Sequence, residues 1–105
     1  MGLADTSLFI AGEGGRPLRG EPPSELAVSI VTIAELRVGV LVAGGAASRA
    51  RRLTTLHGAE KLEPLPIDDA VATAWAELRI ALRDSGRRVP VNDSWIAATA
   101  LAHGY

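Results

Sequence analysis

The run Leu26-Ala27-Val28-Ser29-Ile30-Val31 constrains this chain most, because it is short, nearly continuous in apolar character and rich in β-branched residues. A strand with one wet face would alternate apolar and polar side chains. A run without that alternation suits a strand covered on both faces, as in a parallel sheet. The segment before it, GEGGRPLRGEPPSE, has four glycines and three prolines in fourteen residues and marks a loop.

On either side the pattern alternates between strand and helix. Upstream, Leu3-Ala4 leads into Asp5-Thr6-Ser7, residues that end strands and cap helices, and Leu8-Phe9-Ile10-Ala11 offers one or two helical turns. Downstream, from Thr32, Ile33, Leu36, Val40 and Leu41 fall on one helical face until Gly44-Gly45 stops them. A second helix over residues 46–56 ends at His57-Gly58 and makes a hairpin with the first. Leu62 to Ile67 reads as a short edge strand because of Pro64 and Pro66. Asp68 or Asp69 caps a helix in which Val71, Trp75, Leu78 and Leu82 recur at helical spacing, and Ser85-Gly86 ends it. Arg87 to Asn92 is a basic loop, and Asp93 opens a last helix that runs to Gly104. This alternation predicts an α/β domain with a parallel sheet flanked by helices, a single domain over residues 1–105.

Composition narrows the function. With 48% hydrophobic residues and a net charge of −1, the chain is neither disordered nor broadly attractive to nucleic acid, so any such binding rests on local clusters of charge. The absence of cysteine removes disulfides and thiolate metal sites and suits a reducing, cytoplasmic setting. No apolar run is long enough to span a membrane, and the start has no secretory pattern. Met1, Gly2 and Thr6 match the spacing of a myristoylation signal, but Gly2 leads straight into the first expected strand, where it would not be free for acylation.

In α/β sheets chemistry collects beyond the carboxyl ends of the strands. Three acids stand at such positions: Asp5 after the first strand, Glu35 after the second, and Asp93 at the start of the last helix. Each also has a plain structural reading. Asp5 suits a helix cap, Thr32 and Glu35 form a Thr-x-x-Glu capping box, and Asp93 suits the positive end of a helix dipole. Together they point to one sheet edge with apolar surroundings, where packed carboxylates would repel unless a divalent cation joined them. Carboxylates alone suit magnesium or manganese rather than zinc, and His57 and His103 stand isolated at helix ends. A magnesium-type acidic site suits phosphodiester chemistry.

The blocks ADTSLFI, VTIAELRVGV and VNDSWIAATALAHG resemble, in order and spacing, the signature blocks of the PIN-domain ribonucleases, and more narrowly the VapC toxins of type II toxin–antitoxin pairs. The resemblance covers nearly the whole chain. It implies that Asp5, Glu35 and Asp93 bind Mg2+ or Mn2+, and that Thr6, Ser7 and Asn92 assist them or position substrate. It implies an endoribonuclease that cleaves structured RNA such as tRNA or rRNA, forms a homodimer and is inhibited by a VapB-type antitoxin. Family members continue into a further buried strand and an acidic turn. The resemblance therefore predicts a sheet lacking the C-terminal strands and a weakened or inactive nuclease in the 105 residues given.

Arg87 and Arg88 precede Asp93, and Arg49, Arg51 and Arg52 cluster on one helix; Arg87, Arg88, Arg49 and Arg52 are the candidates for holding phosphates. Arg37 is placed to pair with an acid or a partner. Gly44-Gly45 follows no strand and precedes no Gly-Lys-Ser/Thr, so it is not a P-loop. Trp75 and Trp95 are expected in the core or at a dimer interface. Two readings from other classes remain open. One is an inactive protein that still binds antitoxin through the hairpin around Glu35 to Ala59. The other is a haloacid-dehalogenase-like phosphotransferase using Asp5 as nucleophile, which lacks a suitable late lysine because Lys61 is the only lysine present.

Overall fold

The computed structural model describes residues 2–6, 9 and 26–105. They fall into two compact units, Met1–Leu65 and Pro66–Tyr105. In the first unit β1 (Gly2–Ala4) and β2 (Leu26–Val28) pair in parallel, with Gly2 opposite Leu26, Leu3 opposite Ala27 and Ala4 opposite Val28. Gly2 is therefore part of the sheet ladder. Ala4, Ala27 and Val28 are buried, as the unbroken apolarity of the second strand requires.

The expected edge strand contracts to one residue. Leu65 forms a parallel bridge with Ser29, its N–H donating to Val28 O at 2.8 Å and its carbonyl accepting from Ile30 N at 2.9 Å. Glu63, with φ of 55°, leaves extended geometry on one side, and Pro64 and Pro66 deprive the segment of donors.

Helix α1 (Ile30–Leu41) starts two residues before Thr32, because Ser29 caps it: the Ser29 hydroxyl accepts from Val31 N at 2.9 Å. It ends at Val42, ahead of Gly44-Gly45. Helix α2 (Ala46–Glu60) runs through His57-Gly58 instead of stopping there. An interior glycine costs about 1 kcal/mol relative to alanine. Burial of Leu56 and Ala59 on either side of Gly58, with Leu62 packed just beyond, outweighs that penalty. The core of this unit is Val28, Ile33, Leu36, Leu56 and Ala59, with Phe9 and Val40 against it. Leu41, expected on the buried stripe, is instead 78% exposed at the end of α1. The two helices are also tied by Arg52, whose Nη1 donates to Gly39 O at 2.6 Å.

In the second unit α3 (Asp69–Ser85) begins at Asp68, whose carboxylate accepts from Val71 N at 3.0 Å. It ends at Gly86, whose φ of 71° is the left-handed conformation that glycine adopts without steric cost. Helix α4 (Val91–Ala102) takes Pro90 as its first flanking residue, so Val91 and Asn92, expected in the basic loop, are helical. Proline is tolerated there because the first N–H groups of a helix have no internal acceptor. Val71, Ser94, Ala98 and Thr99 are buried in this unit, and Trp75 and Trp95 stack with centroids 4.3 Å apart and planes 5° from parallel. A parallel sheet with four described helices is an α/β architecture. Among the described residues no helix is long and apolar enough to cross a membrane.

Candidate active site

In the first unit Asp5, Thr6 and Glu35 stand at the carboxyl end of the sheet. Asp5 follows β1 directly and is exposed above the buried Ala4. Thr6, helical and half-buried, donates its hydroxyl proton to Glu35 Oε1 at 2.5 Å, across 29 residues of sequence. Glu35 is half-buried on α1, one turn beyond the buried Thr32 and beside the buried Leu36. This hydrogen bond fixes one carboxylate oxygen of Glu35 next to the residue that follows Asp5. Ser7 lies outside the described residues, so its expected role has no structural counterpart.

The ordinary explanation for Glu35 does not hold. A Thr-x-x-Glu capping box requires Thr32 at the helix boundary, but Ser29 occupies that place and Thr32 lies inside α1. Thr32 Oγ1 is buried and has no hydrogen-bond partner among the described residues. Glu35 is thus free of the helix terminus and turned to Thr6.

Asn92 and Asp93 occupy the first turn of α4, both exposed, with no side-chain cap at that terminus. The acid stands where unpaired N–H groups and the helix dipole favour negative charge. The turn is held from below by Ser94, a residue that the sequence pattern does not single out. Its hydroxyl is buried, accepts from Trp75 Nε1 at 3.0 Å and donates to Val91 O at 2.5 Å. A serine between Asp93 and Trp95 carries no distinct signal, because its partner lies nineteen residues away.

The arginines differ in their commitments. Arg37 pairs with Glu60 across the α1–α2 hairpin at 3.5 Å, with both side chains exposed. Arg52 is engaged by the Gly39 carbonyl, while Arg49, Arg87 and Arg88 are exposed. In the second unit a pocket of about 750 Å³ brings Arg87 and Arg88 together with Arg79 and Arg83, two residues absent from the candidates that the sequence suggests.

Divalent magnesium or manganese takes oxygen donors, keeps several waters and asks for only one or two carboxylates. Asp5, Glu35, Asp93 and the Thr6 hydroxyl are donors of that chemistry. Among the described residues no three His, Asp or Glu side chains form a cluster that would hold a metal on protein ligands alone.

The PIN-domain family model matches residues 3–105, which include every acid named above. This chain belongs to the PIN-domain family. The PIN domain is 54% identical over 102 residues to ribonuclease VapC5 of Mycobacterium tuberculosis, covering 96% of this chain and 76% of the relative. It is likewise 54% identical over 106 residues to ribonuclease VapC4 of the same organism, covering 97% and 79%. Among solved structures it resembles the VapBC-5 toxin–antitoxin crystal structure from M. tuberculosis, with a TM-score of 0.82, 49% identity, and coverage of 97% of this chain and 78% of that one. The haloacid-dehalogenase reading falls with this membership, since the block containing Asp5 is accounted for by the PIN domain.

Proposed function

We propose that this PIN domain is the toxin of a type II toxin–antitoxin pair, a metal-dependent endoribonuclease that cleaves structured RNA such as tRNA or rRNA in the cytoplasm. The observation that carries the reading is the 54% identity to two VapC ribonucleases over almost the entire chain. Asp5, Glu35 and Asp93 are the acids that would hold Mg2+ or Mn2+. When bound, such an ion supplies an activated water and stabilises charge on the phosphate. Thr6 orients Glu35 through its hydroxyl, and Asn92, beside Asp93 in the first turn of α4, is the residue this reading assigns to substrate. Arg49, Arg87 and Arg88 are the phosphate contacts this reading assigns. Arg52 is assigned to the same role, with one nitrogen retained by the Gly39 carbonyl.

The partner is a VapB-type antitoxin, and the toxin forms a homodimer. The outer side of α1 exposes Val38, Leu41 and Val42 at 56%, 78% and 68%, an apolar surface that supports antitoxin docking on the α1–α2 hairpin. Incubation of the purified chain with bulk tRNA and rRNA tests the activity. Internal cleavage in Mg2+ or Mn2+, stopped by EDTA and reduced about 10²-fold or more in D5N, E35Q and D93N, is expected. Metal-independent cleavage, or full activity in D93N, overturns the reading.

A further inference from the structure

The pocket in the second unit is lined by arginine from two directions. Arg79 and Arg83 reach it from one face of α3, and Arg87 and Arg88 from the connection to α4, while Ile80 and Val89 supply apolar wall. Among the described residues no acid lines it. In a chain whose net charge is −1, this is a local concentration of positive charge that composition conceals.

The four guanidinium groups are only lightly committed. Arg79 lies over the Trp75 ring, 5.2 Å from its centroid, which steadies the side chain without using its hydrogen-bond donors. Arg83 pairs with its exposed neighbour Asp84 at 3.2 Å, an interaction that solvent screens heavily. Arg87 and Arg88 are exposed and form no ion pair among the described residues. Planar forks of this kind bind phosphate oxygens two at a time. The pocket also has a direction, because Ser94 lines it and is the immediate neighbour of Asp93 in the first turn of α4. A phosphate chain lying in the pocket therefore passes beside a candidate metal-binding acid, which favours RNA over an acidic peptide as occupant.

We propose that the cleft formed by Arg79, Arg83, Arg87 and Arg88 is a seat for the RNA sugar–phosphate backbone, holding nucleotides that flank the scissile phosphate. This rests on the endoribonuclease reading and extends it to substrate grip. The four residues are positioning residues. They act on binding and leave the chemical step to the acids.

The test is binding of a fluorescein-labelled 20-nucleotide RNA hairpin of mixed sequence to the full chain in EDTA, by anisotropy, across a series of KCl concentrations. The double variant R87A/R88A should bind about tenfold more weakly, and its plot of log affinity against log salt should be less steep by roughly 0.7–0.9 for each phosphate that is no longer neutralised. R83Q should move both quantities in the same direction. R49A/R51A removes the same charge from α2 and should weaken binding by a smaller factor. Equal weakening in the two double variants, no change in R87A/R88A, absence of hairpin binding by the parent chain, or displacement of the hairpin by polyglutamate at equal charge concentration would each overturn the proposal. Cleavage in Mg2+ by the same preparations separates the two claims. A parent chain that binds through these arginines yet cuts nothing refutes nuclease activity in these 105 residues and leaves the cleft standing. One that cuts with unchanged KM in R87A/R88A refutes the cleft alone.

Discussion

Replacing Ser94 with alanine removes a buried hydroxyl that serves two elements at once. The Trp75 Nε1 donor is left without its acceptor, and the Val91 carbonyl loses the Ser94 hydroxyl as a donor. A neutral hydrogen bond contributes about 1 kcal/mol net, and a stranded donor costs a further 1 kcal/mol or more when water cannot reach it. Trp75 is only half-buried, so solvent recovers part of the second amount. The expected destabilisation is about 2 kcal/mol, a fall in Tm of about 8–16 °C for a domain of this size. Urea unfolding followed by far-ultraviolet circular dichroism measures it without relying on the tryptophans. In a double-mutant cycle with W75F, which deletes the indole donor, the coupling should be at least about 0.5 kcal/mol. A cost for S94A below about 0.5 kcal/mol, or strict additivity with W75F, would refute the claim that this hydrogen bond fixes the turn carrying Asp93.

Three further outcomes follow from packing. I33A truncates a side chain that is 1% exposed in the core of the first unit and should cost about 2–5 kcal/mol in urea unfolding. T32V replaces a buried hydroxyl without a described partner by a methyl group of similar shape, so stability should be unchanged or raised by up to about 1 kcal/mol; a clear decrease would mean the hydroxyl is bonded after all. The exposed Arg37–Glu60 pair should show a coupling of at most about 0.5 kcal/mol in an R37A/E60A cycle, decreasing further in high salt.

The parts of the fold that local chemistry dictates are legible from the residues. Asp68 caps α3 and Gly86 ends it, as their side chains and backbone freedom require. Leu26 to Val28 form the covered strand. The parts that mislead are those where distant packing decides. Gly58 is a stop signal locally, yet α2 continues through it because Leu56 and Ala59 are buried on both sides. Thr32 and Glu35 have capping-box spacing, but Ser29 lies closer to the strand end and takes the capping role, leaving Glu35 to Thr6. The arginine cleft does carry a readable sign: Arg79, Arg83 and Arg87 are spaced four apart, and the first two share a helix face that the αL turn at Gly86 brings against Arg87 and Arg88. Ser94 has no such sign, because only the fold reveals that Trp75 needs an acceptor there.

If Asp5, Glu35 and Asp93 each contribute to binding a divalent cation, the chain must take up that ion without RNA or turnover. Titration of the full chain with Mn2+, reading the free-ion electron paramagnetic resonance signal, measures this directly. Saturable binding by the parent chain is expected, weakened at least about tenfold in each of D5N, E35Q and D93N, with circular dichroism unchanged. Binding of Mn2+ by D5N, E35Q and D93N as tight as that of the parent would show that these acids do not form the metal site.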